Sequence, residues 1–178
     1  MFSNRNKDRL YIAYYTRGQA QSNDAPFHTA LLLAPKNPST KIGTEDTTRY
    51  HVINPLKGGR QLWQYDEKSA FARTDKLVAV MLLGKLPTSW NRQAVSELLR
   101  AVPVVQDNPQ WRCRHWVWAA IDRLVAEGVL EGLAGNGSDV WNKGLTFARP
   151  HSYPDLLAPL PMCDSDGNSI TSEFPAVS

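Results

Sequence analysis

The chain has 178 residues, of which 42% are hydrophobic and 21% charged, proportions typical of a single globular domain with its own core. Its 20 basic and 17 acidic residues give a net charge of +3 and are spread along the sequence, which disfavours a nucleic-acid-binding stripe. No apolar run approaches the ~18 residues of a membrane span, and the first residues do not form a signal peptide. We therefore expect a cytoplasmic protein without a stable membrane anchor, in which Cys113 and Cys163 are free thiols.

The first half of the chain predicts β-strands. Segments rich in aromatic, β-branched and other apolar residues alternate with segments rich in Pro, Gly, Asn and Ser, which favour loops. The predicted strands cover residues 9–15, 27–33, 49–54, 61–65 and 76–83.

Helical periodicity replaces this pattern in the second half. Ser89 is a suitable N-cap for a helix over 90–102. Asn108-Pro109 predicts the start of a second amphipathic helix that Gly128 ends. A short third helix is predicted over 139–149.

The order of these elements predicts an α+β fold, with an antiparallel sheet of about five strands packed against two or three helices. We expect residues 1–150 to form one domain of the kind that carries a catalytic site. Residues 151–178, rich in Pro, Ser and Asp, are expected to form an irregular tail in which Cys163 is exposed.

Cys113 is the candidate nucleophile. It occurs in the segment Trp111-Arg112-Cys113-Arg114-His115, within the first turns of the second predicted helix. The partial positive charge of a helix N-terminus and the two flanking arginines favour the thiolate, which is the nucleophilic form. The backbone N–H of Cys113 could also help to bind an oxyanion. The alternative is that Cys113 is a small core residue, since it shares an apolar stripe with Val117 and Ile121.

Two strand histidines could complete such a site. His28 opens one apolar strand and His51 lies in the middle of the next. A thiolate needs an imidazole that exchanges protons and a third polar group that orients it, and these histidines could supply both. Either could instead be a structural histidine at a sheet edge. His115 follows Cys113 by two positions, so it is expected to point away from it.

The histidine-before-cysteine order, with Cys-x-His-aromatic-Val at a helix start, resembles the lecithin-retinol acyltransferase family. That family is a circularly permuted branch of the NlpC-type papain-like thiol enzymes. The matching segments are Phe27–Leu33, Tyr50–Ile53 and Cys113–Val117. The PPPDE isopeptidases share the permuted order, and the chain is also similar to uncharacterised fungal proteins of this general type.

The resemblance implies a permuted papain-like fold with Cys113 as nucleophile, His28 as general base and His51 as the group that orients His28. It implies attack on a carbonyl, a thioester intermediate, and transfer of the acyl group to water or another acceptor. The family usually has Asn directly before the cysteine, where this chain has Arg112. It also anchors its lipid-acting members by a C-terminal membrane helix, and the absence of one here favours a soluble small-molecule or peptide substrate.

Two other functions stay open from the sequence. The first is a non-catalytic binding or regulatory module on the same scaffold, in which Cys113 is buried and unreactive. The second is a metal site formed by His28, His51 and Cys113, although no CxxC or HxxxH spacing supports it. No glycine-rich phosphate loop is present, so no nucleotide cofactor is predicted.

Overall fold

The computed structural model describes residues 8–18 and 26–177. Within these ranges the chain forms eight strands and three helices. The strands are β1 (Asp8–Thr16), β2 (Phe27–Pro35), β3 (Thr47–Ile53), β4 (Leu56–Lys57), β5 (Arg60–Gln61), β6 (Gln64–Ala70), β7 (Leu77–Lys85) and β8 (Met162–Cys163). The helices are α1 (Arg92–Arg100), α2 (Cys113–Ala126) and α3 (Gly137–Ala148).

Six of the strands form one sheet in the order β6-β3-β2-β1-β7-β8. Neighbouring strands are antiparallel except β7 and β8, which are parallel. Strands β4 and β5 form a separate two-residue hairpin. The predicted α+β class with a mainly antiparallel sheet is therefore confirmed.

Both faces of the central strands are buried, which explains their almost continuous apolar sequences. On one face, Leu10, Ile12 and Tyr14 of β1 pack in the core cluster that includes the inward sides of all three helices. On the other face, Tyr11 and Ala13 pack in a second cluster. That cluster is completed by residues of the C-terminal segment: Leu160, Met162 and Phe174.

Several sequence predictions differ from the structure. The single strand predicted over 61–65 is wrong: Gln61 ends the β4–β5 hairpin, and β6 begins at Gln64 and runs through a polar sequence. The second helix begins at Cys113 instead of Pro109, because the Asn108 side chain accepts the N–H of Gln110 and closes an isolated turn. Cys163 is fully buried instead of exposed, since it lies in β8.

The other boundaries lie close to those predicted. Helix α1 is capped by Asn91, whose side chain accepts the N–H of Ala94, instead of by Ser89. Helix α2 ends before Gly128, which adopts φ +73°, the left-handed conformation that glycine favours after a helix. Among the described residues, no helix has the length and apolar character needed to cross a membrane.

Strands β2 and β3 separate at one end of the sheet. They pair from Leu31 to Leu33 against Thr48 to Tyr50. His28 on β2 and His51 on β3 lie beyond this paired region, and their imidazoles meet there with ring centroids 5.1 Å apart.

Candidate active site

Helix α2 places Cys113 at its first helical position. Arg112 is the N-cap residue with extended backbone angles (φ −142°, ψ 169°), and its N–H donates to Nδ1 of His115 at 2.9 Å. Arg112 Nη1 donates to the carbonyls of Pro109 and Trp111, at 2.6 and 2.8 Å. These bonds fix the helix start, so the positive end of the helix dipole lies at Cys113. The first backbone N–H groups of a helix have no intrahelical acceptor and can bind an anion.

The Cys113 thiol lies in a polar pocket within an otherwise apolar core. Its Sγ is 3.7 Å from Nη2 of Arg17 and 4.0 Å from Oγ1 of Thr29. Burial opposes ionisation and acts to raise the pKa of Cys113, but the hydrogen bond and charge of His28, the Thr29 backbone and the charge of Arg17 outweigh it. The net effect lowers the pKa of the thiol from 9.0 to about 6, so the thiolate predominates at neutral pH.

A hydrogen-bonded chain runs from His28, which lowers the pKa of Cys113, to a carboxylate. Nε2 of His28 is 2.8 Å from Nδ1 of His51, and Nε2 of His51 is 2.7 Å from Oδ2 of Asp66. Burial, and then the charge of His28, lower the pKa of His51 to about 4 against the opposing effect of Asp66. His51 is therefore neutral at neutral pH.

The proton positions follow from this chain. A carboxylate can only accept a hydrogen bond, so His51 is protonated on Nε2. This N–H donates a hydrogen bond to Asp66. Its Nδ1 then accepts the Nε2–H of His28. Because Nε2 of His28 is committed to His51, Nδ1 is the atom left to exchange a proton with Cys113.

The sheet register explains how these groups come together. His51 lies directly opposite Asp66 in the antiparallel pairing of β3 and β6, and opposed residues point to the same face. Thr29, one position after His28, contacts Cys113 Sγ and accepts the indole N–H of Trp141 at 3.3 Å. Strands β2, β3 and β6 and helices α2 and α3 therefore all help to position the site.

A cleft of about 900 Å³ adjoins the thiol pocket. Arg17, His28 and Trp63 are among the residues that line it. Gln106 holds the Trp63 backbone by accepting its N–H at 3.0 Å and donating to its carbonyl at 2.6 Å. The remaining lining residues are mostly polar: Val52, Ile53, Asn54, Gln61, Gln106, Asp107, Asn108, Pro109 and Arg112. Its volume suits a small molecule or a short peptide segment.

The structure brings together all three residues predicted from the sequence, Cys113, His28 and His51. His115 accepts the N–H of Arg112, and its imidazole contacts Trp118 with ring centroids 4.7 Å apart. The tryptophans beside Cys113 in sequence do not form the cleft wall. Trp116 is fully buried, while Trp63 lines the cleft and packs edge-to-face on Trp111.

Sequence reasoning missed two residues of the site. Asp66 lies in β6, the strand that the sequence prediction misplaced. A correct β3–β6 register would have placed it opposite His51 and so identified it. Arg17 directly follows β1 and reaches Cys113 across 96 positions of sequence. No local pattern marks it.

The metal alternative receives no support from the arrangement. Within residues 8–18 and 26–177, no group of three or more His, Cys, Asp or Glu side chains is placed to hold a metal ion. His28 and His51 instead face each other through a direct hydrogen bond.

Comparison with known protein families assigns the chain to a family. Residues 7–151 match DUF6914, a family of unknown function, and the chain belongs to that family. No curated protein and no solved structure matches the chain.

Proposed function

We propose that this member of the DUF6914 family is a cysteine-dependent hydrolase or acyltransferase that acts on an amide or ester of a soluble substrate through a thioester intermediate. The observation that carries the proposal is the hydrogen-bonded chain from His28 through His51 to Asp66, together with a Cys113 thiol whose pKa His28 lowers. A nucleophile, a base and groups that orient the base are the parts that thiol-dependent acyl transfer requires. The resemblance to permuted papain-like enzymes agrees with this order of residues.

The chemistry follows from the proton positions. The Cys113 thiolate attacks the substrate carbonyl carbon, and the carbonyl π electrons move to oxygen. The Cys113 N–H at the helix N-terminus can stabilise that oxyanion. As the intermediate collapses, the bond to the leaving nitrogen or oxygen breaks, and His28 gives it a proton from Nδ1. The acyl group is then held as a thioester.

The second half reverses the proton transfer. His28, now neutral, accepts a proton from water or another acceptor through Nδ1 while that group attacks the thioester. The tetrahedral intermediate releases the Cys113 thiolate, and the protonated His28 again stands beside it. His51 and Asp66 hold the His28 ring in one tautomer throughout.

A non-catalytic module is the second candidate function, and one observation favours it. Cys113 is only 2% exposed, and an inert structural thiol would have the same burial. The two candidates differ in the reactivity of this thiol, since a binding module needs no reactive thiolate.

The test is the rate of Cys113 alkylation by iodoacetamide as a function of pH, with the labelled residue identified by peptide mapping. The parent protein is expected to show an apparent pKa of about 6. In His28→Ala, loss of the partner that stabilises the thiolate leaves burial dominant, so the apparent pKa is expected to rise by at least about two units. His151→Ala, a matched change at a histidine that contacts Phe147, should leave the profile unchanged.

Acyl transfer is tested in parallel with p-nitrophenyl acetate. The parent protein is expected to gain one acetyl group on Cys113 by mass spectrometry, and Cys113→Ser is expected to gain none at that position. Slow alkylation without a step near the expected pKa, together with no acetylation, would favour the non-catalytic module.

A further inference from the structure

Two arginines at the cleft have no acidic partner in the part of the chain that the structure describes. Arg17 and Arg112 both line the cleft. Among the described residues, no carboxylate lies within ion-pair distance of either one. Asp107, the one acidic residue among the described lining residues, pairs with Arg60 at 3.4 Å. The described cleft surface beside the nucleophile is therefore positively charged.

Arg17 is incompletely satisfied as a donor. Its Nη2 approaches Cys113 Sγ at 3.7 Å, but its Nε is buried and has no hydrogen-bond partner among the described residues. A buried guanidinium N–H without an acceptor is costly. A carboxylate accepts two parallel N–H bonds from a guanidinium, so it suits such a group better than a neutral acceptor does.

Arg17 also lies on the path to the nucleophile. Cys113 itself is not among the described residues that line the cleft, whereas Arg17 and His28 are. Arg17 approaches the thiol at 3.7 Å, and His28 lowers the pKa of the thiol. A carbonyl group that reaches Sγ from the cleft must therefore pass beside the Arg17 guanidinium. Arg112 lines the same cleft, and hydrogen bonds to two backbone carbonyls hold its side chain in place.

We propose that the cleft selects an acyl substrate that carries a carboxylate within a few bonds of the scissile carbonyl, bound by Arg17 with the support of Arg112. The inference rests on the proposed function and names the substrate class of the same site. Amides or esters of dicarboxylic acids, including acidic amino-acid units, have this chemistry. The neutral amide side chains and Trp63 around the cleft would contact the uncharged remainder of the substrate.

The competing explanation is that Arg17 only stabilises the thiolate. Two alkylating reagents of nearly equal size separate the two roles, since iodoacetate is an anion and iodoacetamide is neutral. With either reagent the thiolate displaces iodide, so that a sulfur–carbon bond forms as the carbon–iodine bond breaks. Both rates depend equally on the thiolate fraction. The ratio of the iodoacetate rate to the iodoacetamide rate is therefore independent of that fraction and measures recognition of the iodoacetate carboxylate.

The experiment measures this ratio for Cys113 in the full chain and for N-acetylcysteine amide. The parent protein is expected to favour iodoacetate over iodoacetamide about five-fold or more relative to the free thiol, because opposite charges attract at short range. Arg17→Gln should remove most of this preference and Arg112→Gln part of it. Arg123→Gln, the same change at an exposed residue of α2 that pairs with Glu127, should retain it.

Each other outcome has a defined meaning. A ratio equal to that of the free thiol, or one that Arg17→Gln leaves unchanged, would overturn the carboxylate site while fast alkylation still supports the proposed function. Slow reaction with both reagents at neutral pH would overturn the proposed function and this inference with it.

A competition experiment identifies the kind of anion that the cleft binds. Succinate should protect Cys113 from iodoacetamide in the parent protein and should not protect it in Arg17→Gln, whereas succinamide should protect neither. Protection by inorganic phosphate without protection by succinate would assign the site to a phosphate group and overturn the carboxylate class.

Discussion

The Asp66 carboxylate ends the hydrogen-bonded chain that leads through two imidazoles toward the thiol. It accepts a hydrogen bond from the Nε2–H of His51. The unprotonated Nδ1 of His51 can then accept a hydrogen bond from His28. Asp66 is partly exposed, with 28% of its side chain accessible, so solvent weakens its electrostatic effect. Its main contribution is therefore to fix a tautomer and a ring orientation, which makes it a positioning residue.

Removal of this carboxylate should lower the reactivity of the Cys113 thiol without unfolding the protein. In Asp66→Ala, His51 loses the acceptor that fixes its tautomer, and His28 loses a defined partner. We expect the Cys113 alkylation rate at neutral pH to fall about ten-fold and its apparent pKa to rise, in line with the effect of removing an outer hydrogen-bond partner. The measurement is the pH profile of iodoacetamide labelling.

Two variants make that result specific. Asp66→Asn keeps an oxygen acceptor for His51 and should retain more of the rate than the alanine variant. Glu67→Ala removes a neighbouring carboxylate that pairs with Arg100 and accepts from Tyr65, and it should leave the profile unchanged. Equal loss in the Asp66 and Glu67 alanine variants would point to general damage to β6 and contradict the positioning role.

Site residues could be predicted from the sequence where the residue type itself indicates a chemical role. A cysteine beside arginines at a helix start and two histidines in apolar strands marked Cys113, His28 and His51 as candidates. Asp66 and Arg17 carry common charged side chains in polar segments, and nothing local distinguishes them from solvent-exposed residues. Their roles depend on the strand register and on a contact between distant segments.

Helix α3 packs closely on its neighbours through two glycines. A Cβ atom at Gly137 would lie 2.2 Å from the carbonyl oxygen of Trp118 in α2, and one at Gly144 would lie 2.1 Å from Oη of Tyr14 in β1. The Tyr14 hydroxyl donates to the Trp141 carbonyl at 2.8 Å. The close approach of α3 thus helps to hold Trp141, whose indole bonds Thr29 beside the thiol.

Gly144→Ala should destabilise the protein, although alanine is the better helix former by ~1 kcal/mol. The new methyl group displaces the Tyr14 hydroxyl, and we expect a net loss of about 2 kcal/mol in the free energy of unfolding. The measurement is urea denaturation of the parent, Gly144→Ala, Tyr14→Phe and the double variant. Because Tyr14→Phe removes the clashing oxygen, the double variant should lose less than the sum of the single losses. Additive losses would show that the two sites do not contact as described.

Elements were predicted best where apolar residues form long runs or a regular helical stripe. Strands β1, β2 and β7 are long apolar runs, and their positions and those of α1 and α3 were predicted to within a few residues. Strand β6 has a polar sequence at the edge of the sheet, and its pairing with β3 stabilises it without apolar alternation. The start of α2 was misplaced because Asn108-Pro109 begins a single turn that does not continue into the helix.

The C-terminal segment closes the second face of the sheet. Phe174 is fully buried and packs edge-to-face on Tyr11, with ring centroids 5.0 Å apart. Arg73, itself buried, donates to the carbonyls of Asp155, Ala158 and Pro175. Residues that lie beyond the family match at 151 therefore form part of the core. Low periodicity and many prolines concealed this, because an irregular segment can bury side chains without regular backbone structure.

Truncation of Phe174 tests this contribution across the whole molecule. Phe174→Ala should lower the free energy of unfolding by about 3 kcal/mol or more, as is usual for a buried phenylalanine. Phe71→Ala makes the same chemical change at a side chain that is 47% exposed, and it should cost less than about 1 kcal/mol. Both values come from urea denaturation. Similar small losses in the two variants would mean that the tail does not complete the core.

The acidity of Cys113 depends on groups from separate segments of the chain, since His28 and Arg17 belong to its beginning and the helix start to its second half. An unfolded chain gives the thiol none of these partners, so its pKa returns to the ordinary value of 9.0. At about pH 6.5 a brief pulse of iodoacetamide would then label folded molecules and leave unfolded ones almost unmodified. Cys163 does not interfere in the folded state, because burial, followed by the charge of Asp164, raises its pKa to about 12. We expect such a pulse to report the native state, so that the labelled fraction measures the fraction of folded molecules without an added probe site.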